Sequence, residues 1–156
     1  MNTATARAAK EWRQSRNRGL PEGIYLLEPV VEDQLQCWRA QLCPVNAESL
    51  YAEQRYLVKI VLPEEYPLAP PSISFAGGTM PHPNVALATG EICLDILQGQ
   101  WSPAWTICSA LQAVLLLLDN PVAESPLNVD MANLWRIGDK RAIRQLVQYY
   151  GAPKPL

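Results

Sequence analysis

Four strand-like segments follow one another in the first half of the chain without a helix between them. They cover residues 23–30, 35–45, 55–62 and 72–75. In the second segment Trp38, Ala40 and Leu42 alternate with polar residues, and in the third every second residue from Tyr56 to Leu62 is apolar. Alternation of this kind marks strands with one buried face. Because no helix connects them, the segments are predicted to form an antiparallel meander.

Helical periodicity flanks these strands on both sides. Residues 5–16 carry an apolar face among arginines, and Ser102 followed by Pro103 predicts the N-cap and first residue of a second helix. Two more helices are expected, the first of them ending at Gly138. They are marked by apolar residues at helical spacing: Leu127, Met131, Leu134 and Trp135, then Ile143, Leu146, Val147 and Tyr150.

The chain has 156 residues, enough for one ordinary core and too few for two. Residues 1–156 are therefore predicted to form a single α+β domain, with an N-terminal helix, a four-stranded antiparallel meander, a long loop and three C-terminal helices. The long loop, residues 76–101, has little periodicity and much Gly, Pro, Asn and Thr. Structureless segments of this length are usually functional, so we expect a surface segment that carries the functional site.

Charge is distributed unevenly along the chain. Residues 1–18 and residues 136–156 each carry a net charge of +4, whereas residues 19–135 hold 13 acidic and 3 basic groups, a net charge of −10. The basic ends are either surfaces that steer charged protein partners or solvated helix faces. An isoelectric point near 5.4 argues against general nucleic-acid binding, because such binding depends on neutralising phosphates.

The chain has four cysteines and a single histidine, His82. Any mechanism that pairs histidine with cysteine or serine, or uses it as a metal ligand, must pass through that residue. No C-x-x-C pair exists, so no metal site is predicted. The cysteines are expected to be mostly free thiols in a reducing setting.

Several short motifs occur in and around the long loop. They are Tyr66-Pro67-x-x-Pro70-Pro71, His82-Pro83-Asn84, Ile92-Cys93-Leu94 and Trp101-Ser102-Pro103. Each is weak by itself, since Cys93 alone suits a small buried hydrophobe and Asn84 alone suits a turn. Together with the basic first helix and Trp38, their order and spacing resemble the ubiquitin-conjugating enzyme family over about residues 5–150, and this resemblance implies the α+β fold of that family.

Within that family the chain is similar to the peroxisomal branch, the conjugating enzyme of the machinery that recycles the import receptor. The loop between Asn84 and Cys93 is one residue longer than in common cytosolic members. Residues 88–93 and 120–130 also resemble the versions of these segments in the branch.

The resemblance implies a reaction and a role for each residue of the site. Cys93 is expected to accept ubiquitin as a thioester, which stays reactive toward amines, hydroxyls and thiols. Asn84 is expected to stabilise the tetrahedral oxyanion through its side-chain amide. His82 and Pro83 are expected to shape the loop that holds Asn84, and His82 is not expected to act as a general base. A Cys-His protease is disfavoured, because the sequence shows neither an orienting residue beyond the histidine nor a cysteine at a helix N-terminus.

One position departs from the family pattern. Many members place an acidic residue just before the Pro-Leu that corresponds to Pro126-Leu127, where it helps to orient and deprotonate an incoming lysine; here the position is Ser125, preceded by Glu124. Either Glu124 substitutes, or a partner supplies the group, or the acceptor is another nucleophile. The branch is associated with transfer to a cysteine of the import receptor, and a thiol of pKa ~8.5 needs less help than a lysine of pKa ~10.4.

The resemblance also implies partner surfaces. Arg7 and Lys10 match the basic helix face that meets the ubiquitin-activating enzyme; the alternative is a solvated face. Leu68, and Pro103 with Ala104, match the two loops that engage a RING-type ligase, where an exposed leucine makes a small apolar anchor. No resident cofactor is expected, because ATP is used upstream by the activating enzyme.

Recruitment by a membrane-anchored peroxin is the expectation for this branch, so the expected location is the cytosolic face of the peroxisomal membrane. The densest apolar run begins at Ala104 and ends at Leu118, which falls short of the ~20 residues that span a bilayer. Direct membrane insertion is therefore not expected. Two alternatives stay open: a non-catalytic, ubiquitin- or partner-binding variant of the fold, which characteristically lacks the cysteine, and a cytosolic conjugating enzyme of another pathway.

Overall fold

The computed structural model describes residues 2–52, 54–93, 97–124 and 126–151. Its helices and strands follow the predicted order. They are α1 (Thr3–Arg18), β1 (Ile24–Val31), β2 (Gln34–Leu42), β3 (Tyr56–Val61), β4 (Ser72–Phe75), α2 (Ile107–Asp119), α3 (Val129–Ile137) and α4 (Lys140–Gly151). The predicted α+β architecture, with one helix before the sheet and three after it, is confirmed.

The four strands form one antiparallel sheet in the order β1-β2-β3-β4, which confirms the predicted meander. Trp12 of α1 packs edge-on against Trp38 of β2, with ring centroids 6.1 Å apart, so α1 lies against the inner face of the sheet. The alternation predicted for β2 and β3 is observed, because their inward side chains are all buried: Trp38, Ala40, Leu42, Tyr56, Val58 and Ile60.

The apolar run after residue 104 forms a core helix, as predicted. One face of α2 is fully buried along its whole length, with Ile107, Leu111, Val114 and Leu118 at helical spacing. In the part of the chain that the structure describes, no helix combines the length and apolarity needed to cross a membrane.

The predicted start of α2 at Pro103 is wrong. The helix begins at Ile107, and Thr106 is its N-cap. In a helix that began at Pro103, the Ile107 amide would donate to the Pro103 carbonyl. Here the Pro103 carbonyl accepts from the Arg7 guanidinium at 2.9 Å, and the Ile107 amide donates to the Glu11 carboxylate at 2.7 Å. Two side chains of α1 therefore occupy both partners of the helical hydrogen bond and keep the preceding segment as a loop.

The long segment between β4 and α2 is not a surface loop throughout, contrary to prediction. Residues 80–85 are all buried, and Val85 forms an antiparallel bridge with Ile92. A composition rich in turn-forming residues favours the surface because buried backbone groups need partners. These residues find such partners in α2, in the segment before α3, and in each other.

Candidate active site

His82 lies fully buried beneath the C-terminal half of α2. Its Nε2 is 2.9 Å from the Leu117 carbonyl oxygen, and its Nδ1 is 3.0 Å from the backbone nitrogen of Asn84. A carbonyl can only accept and an amide can only donate, so Nε2 carries the hydrogen and Nδ1 accepts. Burial lowers the pKa of His82 to about 4, against a smaller opposing effect of the Leu117 hydrogen bond. This neutral imidazole has both nitrogens engaged and none free to take a proton from Cys93.

The Asn84 side chain is buried and makes two hydrogen bonds to one backbone position. Its Nδ2 donates to the Val122 carbonyl at 2.9 Å, and its Oδ1 accepts from the Val122 amide at 2.8 Å. The pair fixes the segment that leads to Glu124, which is exposed two residues further on. An asparagine amide carries two N–H bonds, and the contacts among the described residues use one of them.

Cys93 is held beside Asn84 through the backbone. The Cys93 amide donates to the Asn84 carbonyl at 3.0 Å, directly after the bridge between Val85 and Ile92. The Cys93 side chain is partly exposed. The structure therefore brings together the cysteine and the asparagine that sequence spacing singles out, and leaves the thiol within reach of solvent.

The turn that leads the chain back to Cys93 requires glycine at residue 90. Gly90 has a φ of +79°, and a Cβ there would lie 1.8 Å from the carbonyl oxygen of Phe75. The Gly90 carbonyl accepts from the Phe75 amide at 2.8 Å, and the Gly90 amide donates to the Ala86 carbonyl at 2.7 Å. This close approach attaches the turn to the end of β4 and fixes the course of the backbone that leads to Cys93.

Pro83 connects the same segment to the start of α3. Its carbonyl accepts from the amides of Leu127 and Asn128 at 2.9 and 3.1 Å, and Asn128 is the N-cap of α3. Leu127, which the spacing predicts inside this helix, lies before it. Ser125, which stands where many family members have an acidic residue, lies outside the described residues.

All four cysteines are free thiols, but they differ in environment. Burial, with a smaller effect of the Glu11 charge, raises the pKa of Cys108 to about 11. Burial also raises the pKa of Cys43. Because the thiolate is the nucleophile, neither of these thiols is suited to acyl transfer at neutral pH.

The residues predicted to meet a ligase lie on two adjacent loops. Leu68 is 78% exposed, and Pro103 and Ala104 are exposed as well. The indole Nε1 of Trp101 donates to the Pro67 carbonyl at 2.9 Å, which ties the two loops together. The structure therefore forms one surface from residues that are far apart in the sequence.

The two basic residues predicted to meet the activating enzyme are in different situations. Lys10 is exposed. The Arg7 guanidinium is partly buried and donates to the carbonyls of Pro103 and Trp105 at 2.9 and 2.8 Å. Arg7 is therefore part of the support of the 103–105 loop, and Lys10 is the freer of the two cations.

Glu11 is a buried carboxylate that the sequence motifs do not reveal. It accepts from Arg7, Tyr66 and Ile107. The available signal is spacing, because residues four and seven positions apart share one helix face and Glu11 stands seven after Ala4. A charged residue in register with buried alanines marks a buried polar contact.

Comparison with known proteins finds matches along almost the whole chain. The sequence profile described as "Ubiquitin-conjugating enzyme" matches residues 6–150. "Ubiquitin-conjugating enzyme E2 PEX4" of Gibberella zeae is 42% identical over 149 residues, covering 95% of this chain and 86% of that protein. "Protein PEROXIN-4" of Arabidopsis thaliana is 38% identical over 151 residues, covering 96% of this chain and 94% of that protein.

A solved structure shares the fold. The crystal structure of the H. polymorpha ubiquitin conjugating enzyme Pex4p in complex with the soluble domain of Pex22p superposes with a TM-score of 0.85 at 39% identity, covering 95% of this chain and 96% of that chain. These matches confirm the predicted resemblance to the family and to its peroxisomal branch, and the predicted fold.

The protonation of His82 gives a testable prediction. The pKa of His82 is about 4 in the folded protein, whereas a histidine in an unfolded chain titrates near 6.5. The folded state therefore binds fewer protons below pH 6.5, and the stabilisation present above that pH is lost as the pH falls toward 4, by about 3 kcal/mol in all. Proton NMR measures the titration directly, because a single histidine needs no assignment.

The matched control is His82→Gln, which keeps one donor and one acceptor but does not titrate. Carboxylates titrate in the same pH range, so the histidine contribution is the difference between the pH slopes of the two unfolding free energies. A midpoint near 6.5 for the imidazole in the folded protein would contradict the prediction.

Proposed function

The chain belongs to the ubiquitin-conjugating enzyme family, and on that premise we propose that Cys93 is the residue that carries ubiquitin. The Cys93 thiolate attacks the ubiquitin thioester on the activating enzyme, a new thioester bond forms at Sγ, the old thioester bond breaks, and the cysteine of the activating enzyme leaves as a thiolate. The observation that carries this proposal is the backbone hydrogen bond that sets Cys93 beside Asn84. The neutral, fully engaged His82 supports a carrier mechanism over one that needs a histidine base.

Asn84 stabilises the oxyanion in this proposal. One N–H of its side-chain amide is used by Val122, and that bond fixes the rotamer. In this proposal the other N–H is the one that the oxyanion accepts from. A donor held in place before the reaction stabilises developing negative charge without the cost of reorientation.

The proposed partners follow the two surfaces described above. Leu68, Pro103 and Ala104 present a small apolar patch on joined loops, which suits a RING-type ligase, and the exposed Lys10 suits an acidic face of the activating enzyme. The protein needs no cofactor of its own, because ATP is used by the activating enzyme. Ubiquitin is the remaining partner, bound through the thioester.

We further propose that the chain acts at the cytosolic face of the peroxisomal membrane on the import receptor, as part of its recycling. The similar Pex4p structure was determined with the soluble domain of Pex22p, which supports recruitment by a membrane-anchored peroxin. The presence of both Cys93 and Asn84 disfavours the non-catalytic variant of the fold.

Incubation with activating enzyme, ATP and ubiquitin tests the carrier role. We expect an adduct on a non-reducing gel that disappears on addition of thiol, because a thioester exchanges with free thiols. Cys93→Ala is expected to abolish the adduct. The matched control is Cys37→Ala, which removes another partly exposed thiol and is expected to leave the adduct unchanged. An adduct that survives Cys93→Ala would remove the proposal.

The role of Asn84 is tested by Asn84→Ala in single-turnover discharge. Starting from fully charged protein, we expect transfer of ubiquitin to a free amine to slow by on the order of 10²-fold, the usual effect of removing one oxyanion donor. Thermal unfolding measured in parallel reports the loss of the two bonds to Val122. A discharge rate within a factor of ~2 of the parent, far less than such a donor contributes, rules out the oxyanion role.

The acceptor is tested by discharge onto free lysine and free cysteine at equal concentration. We expect cysteine to be the faster acceptor, because at neutral pH a larger fraction of a thiol of pKa ~8.5 than of an amine of pKa ~10.4 is deprotonated. Comparison with a conjugating enzyme that has an acidic residue at the Ser125 position corrects for intrinsic reactivity. A preference for lysine equal to that of the comparison enzyme contradicts the hypothesis that Ser125 is linked to a thiol acceptor. Glu124→Gln shows separately whether Glu124 assists lysine.

A further inference from the structure

Glu11 is the point at which three parts of the protein meet. Its Oε1 accepts from the Ile107 amide at 2.7 Å, and its Oε2 accepts from Arg7 Nε at 3.1 Å and from the Tyr66 hydroxyl. A carboxyl group that receives three donors has the hydrogen-bonding pattern of the ionised form. Glu11 itself is buried, so this charge depends on those three donors for its compensation.

Each donor leads to one of the two exposed loops that carry Leu68, Pro103 and Ala104. Tyr66 begins the turn that exposes Leu68. Ile107 is the first residue of α2, directly after the loop that exposes Pro103 and Ala104.

Arg7, the third donor, also holds the second loop directly. Its guanidinium donates to the carbonyls of Pro103 and Trp105, and it lies 6.0 Å from the centroid of the Tyr66 ring. The Trp101 ring is tilted by 40° to the same ring, with centroids 5.8 Å apart, and its indole donates to the Pro67 carbonyl. One carboxylate therefore connects both loops, through Tyr66 on one side and through Arg7 and Ile107 on the other.

The same contacts decide whether the second loop exists. Serine followed by proline favours the start of a helix, and continuing α2 back to Pro103 would satisfy the Ile107 amide with the Pro103 carbonyl. Glu11 takes the amide and its partner Arg7 takes the carbonyl. The loop therefore forms because Arg7 and Glu11 of α1 take both partners of the helical hydrogen bond, although the local sequence favours a helix.

We propose that Glu11 is a positioning residue for the ligase, which sets the conformation and spacing of the two loops without touching the ligase itself. This inference rests on the proposed function, because it takes the Leu68 and Pro103-Ala104 surface as the ligase site. Glu11 is distant from Cys93 in the hydrogen-bond network of the described residues. Its loss therefore changes ligase-dependent transfer and leaves the chemistry at Cys93 in place.

The test is Glu11→Gln, which keeps an oxygen for the Ile107 amide and removes the charge that holds Arg7. The probe is a RING domain chosen because it accelerates discharge of the charged wild-type protein. We expect the RING concentration at half-maximal stimulation to rise by about tenfold, which corresponds to ~1.4 kcal/mol of binding. The rate of ligase-independent discharge is expected to stay within about twofold of the wild-type rate, because Glu11 and Cys93 share no hydrogen-bond partner among the described residues.

Tyr66→Phe is a second, milder variant, which removes one donor to Glu11 and keeps the ring. It is expected to shift half-maximal stimulation in the same direction by a smaller factor. Hydrogen exchange adds a readout of the mechanism: the Ile107 amide is expected to exchange faster in Glu11→Gln. Thermal unfolding identifies the temperature at which each variant is folded for these measurements.

The matched control is Ser49→Ala. Ser49 donates its hydroxyl hydrogen to Asp119, the last residue of α2, so the variant also removes one contact to a carboxylate. Asp119 lies about 18 Å along the helix from Ile107. Half-maximal stimulation by the RING domain is expected to be unchanged in Ser49→Ala, which separates positioning of the loops from a general loss of stability.

Two different failures are distinguished by including Leu68→Ala, which removes the exposed anchor itself. Wild-type protein that no RING domain stimulates, or stimulation that Leu68→Ala leaves unaltered, contradicts the proposed ligase surface and the inference with it. Stimulation that is weakened by Leu68→Ala and unchanged by Glu11→Gln and Tyr66→Phe overturns the role of Glu11 alone. An equal shift in Ser49→Ala also overturns it.

Discussion

The hydrogen bond between His82 and the Leu117 carbonyl joins the active-site segment to the central helix of the core. It is made by a neutral ring in a fixed tautomer, because the other nitrogen accepts from the Asn84 amide. Residues 82–84 then reach outward to the Val122 backbone and to the start of α3. The bond to α2 therefore adds a core anchor to the bonds that hold the same segment to the Val122 backbone and to the start of α3.

Helix α2 has a second polar anchor at its other end. Ile107 and Leu117 are ten residues apart, about 15 Å along the axis. At Ile107 the charged pair from α1 stops the helix and holds the loop before it, and at Leu117 the neutral imidazole holds the segment that carries Asn84. The buried side chains between these ends make α2 a rigid support. Such an element fixes the position of the 103–105 loop relative to the segment that carries Asn84.

The sheet and the family could be predicted from the sequence, whereas the contacts that shape the site could not. Alternation along β2 and β3 reports local periodicity, so Trp38, Ala40 and Leu42 identify the inner face without knowledge of the rest of the chain. The start of α2 depends on Arg7 and Glu11, about a hundred residues earlier. No local rule contains such a contact. The partner of the Asn84 amide is likewise a backbone position 38 residues away.

Residues 80–85 are buried although their composition predicts a surface loop, and the reason is again a set of distant contacts. Polar and turn-forming residues lie at the surface when only water can satisfy their hydrogen bonds, and they can be buried when the protein supplies the partners. Here the side chains of His82 and Asn84 satisfy distant backbone groups, and the Pro83 carbonyl accepts from two amides that open α3.

A single histidine in a chain of this size limits proton transfer to whatever else stands near the cysteine. His82 is neutral and both of its nitrogens are bound, so it cannot take the proton of an attacking lysine. Glu124, a group from a partner, and solvent are the acceptors that the sequence suggests for that proton. A thiol, which ionises more readily, largely removes the requirement. Because the serine that follows Glu124 in the sequence carries no carboxylate, the proposed thiol acceptor is the one that demands least proton transfer from the protein.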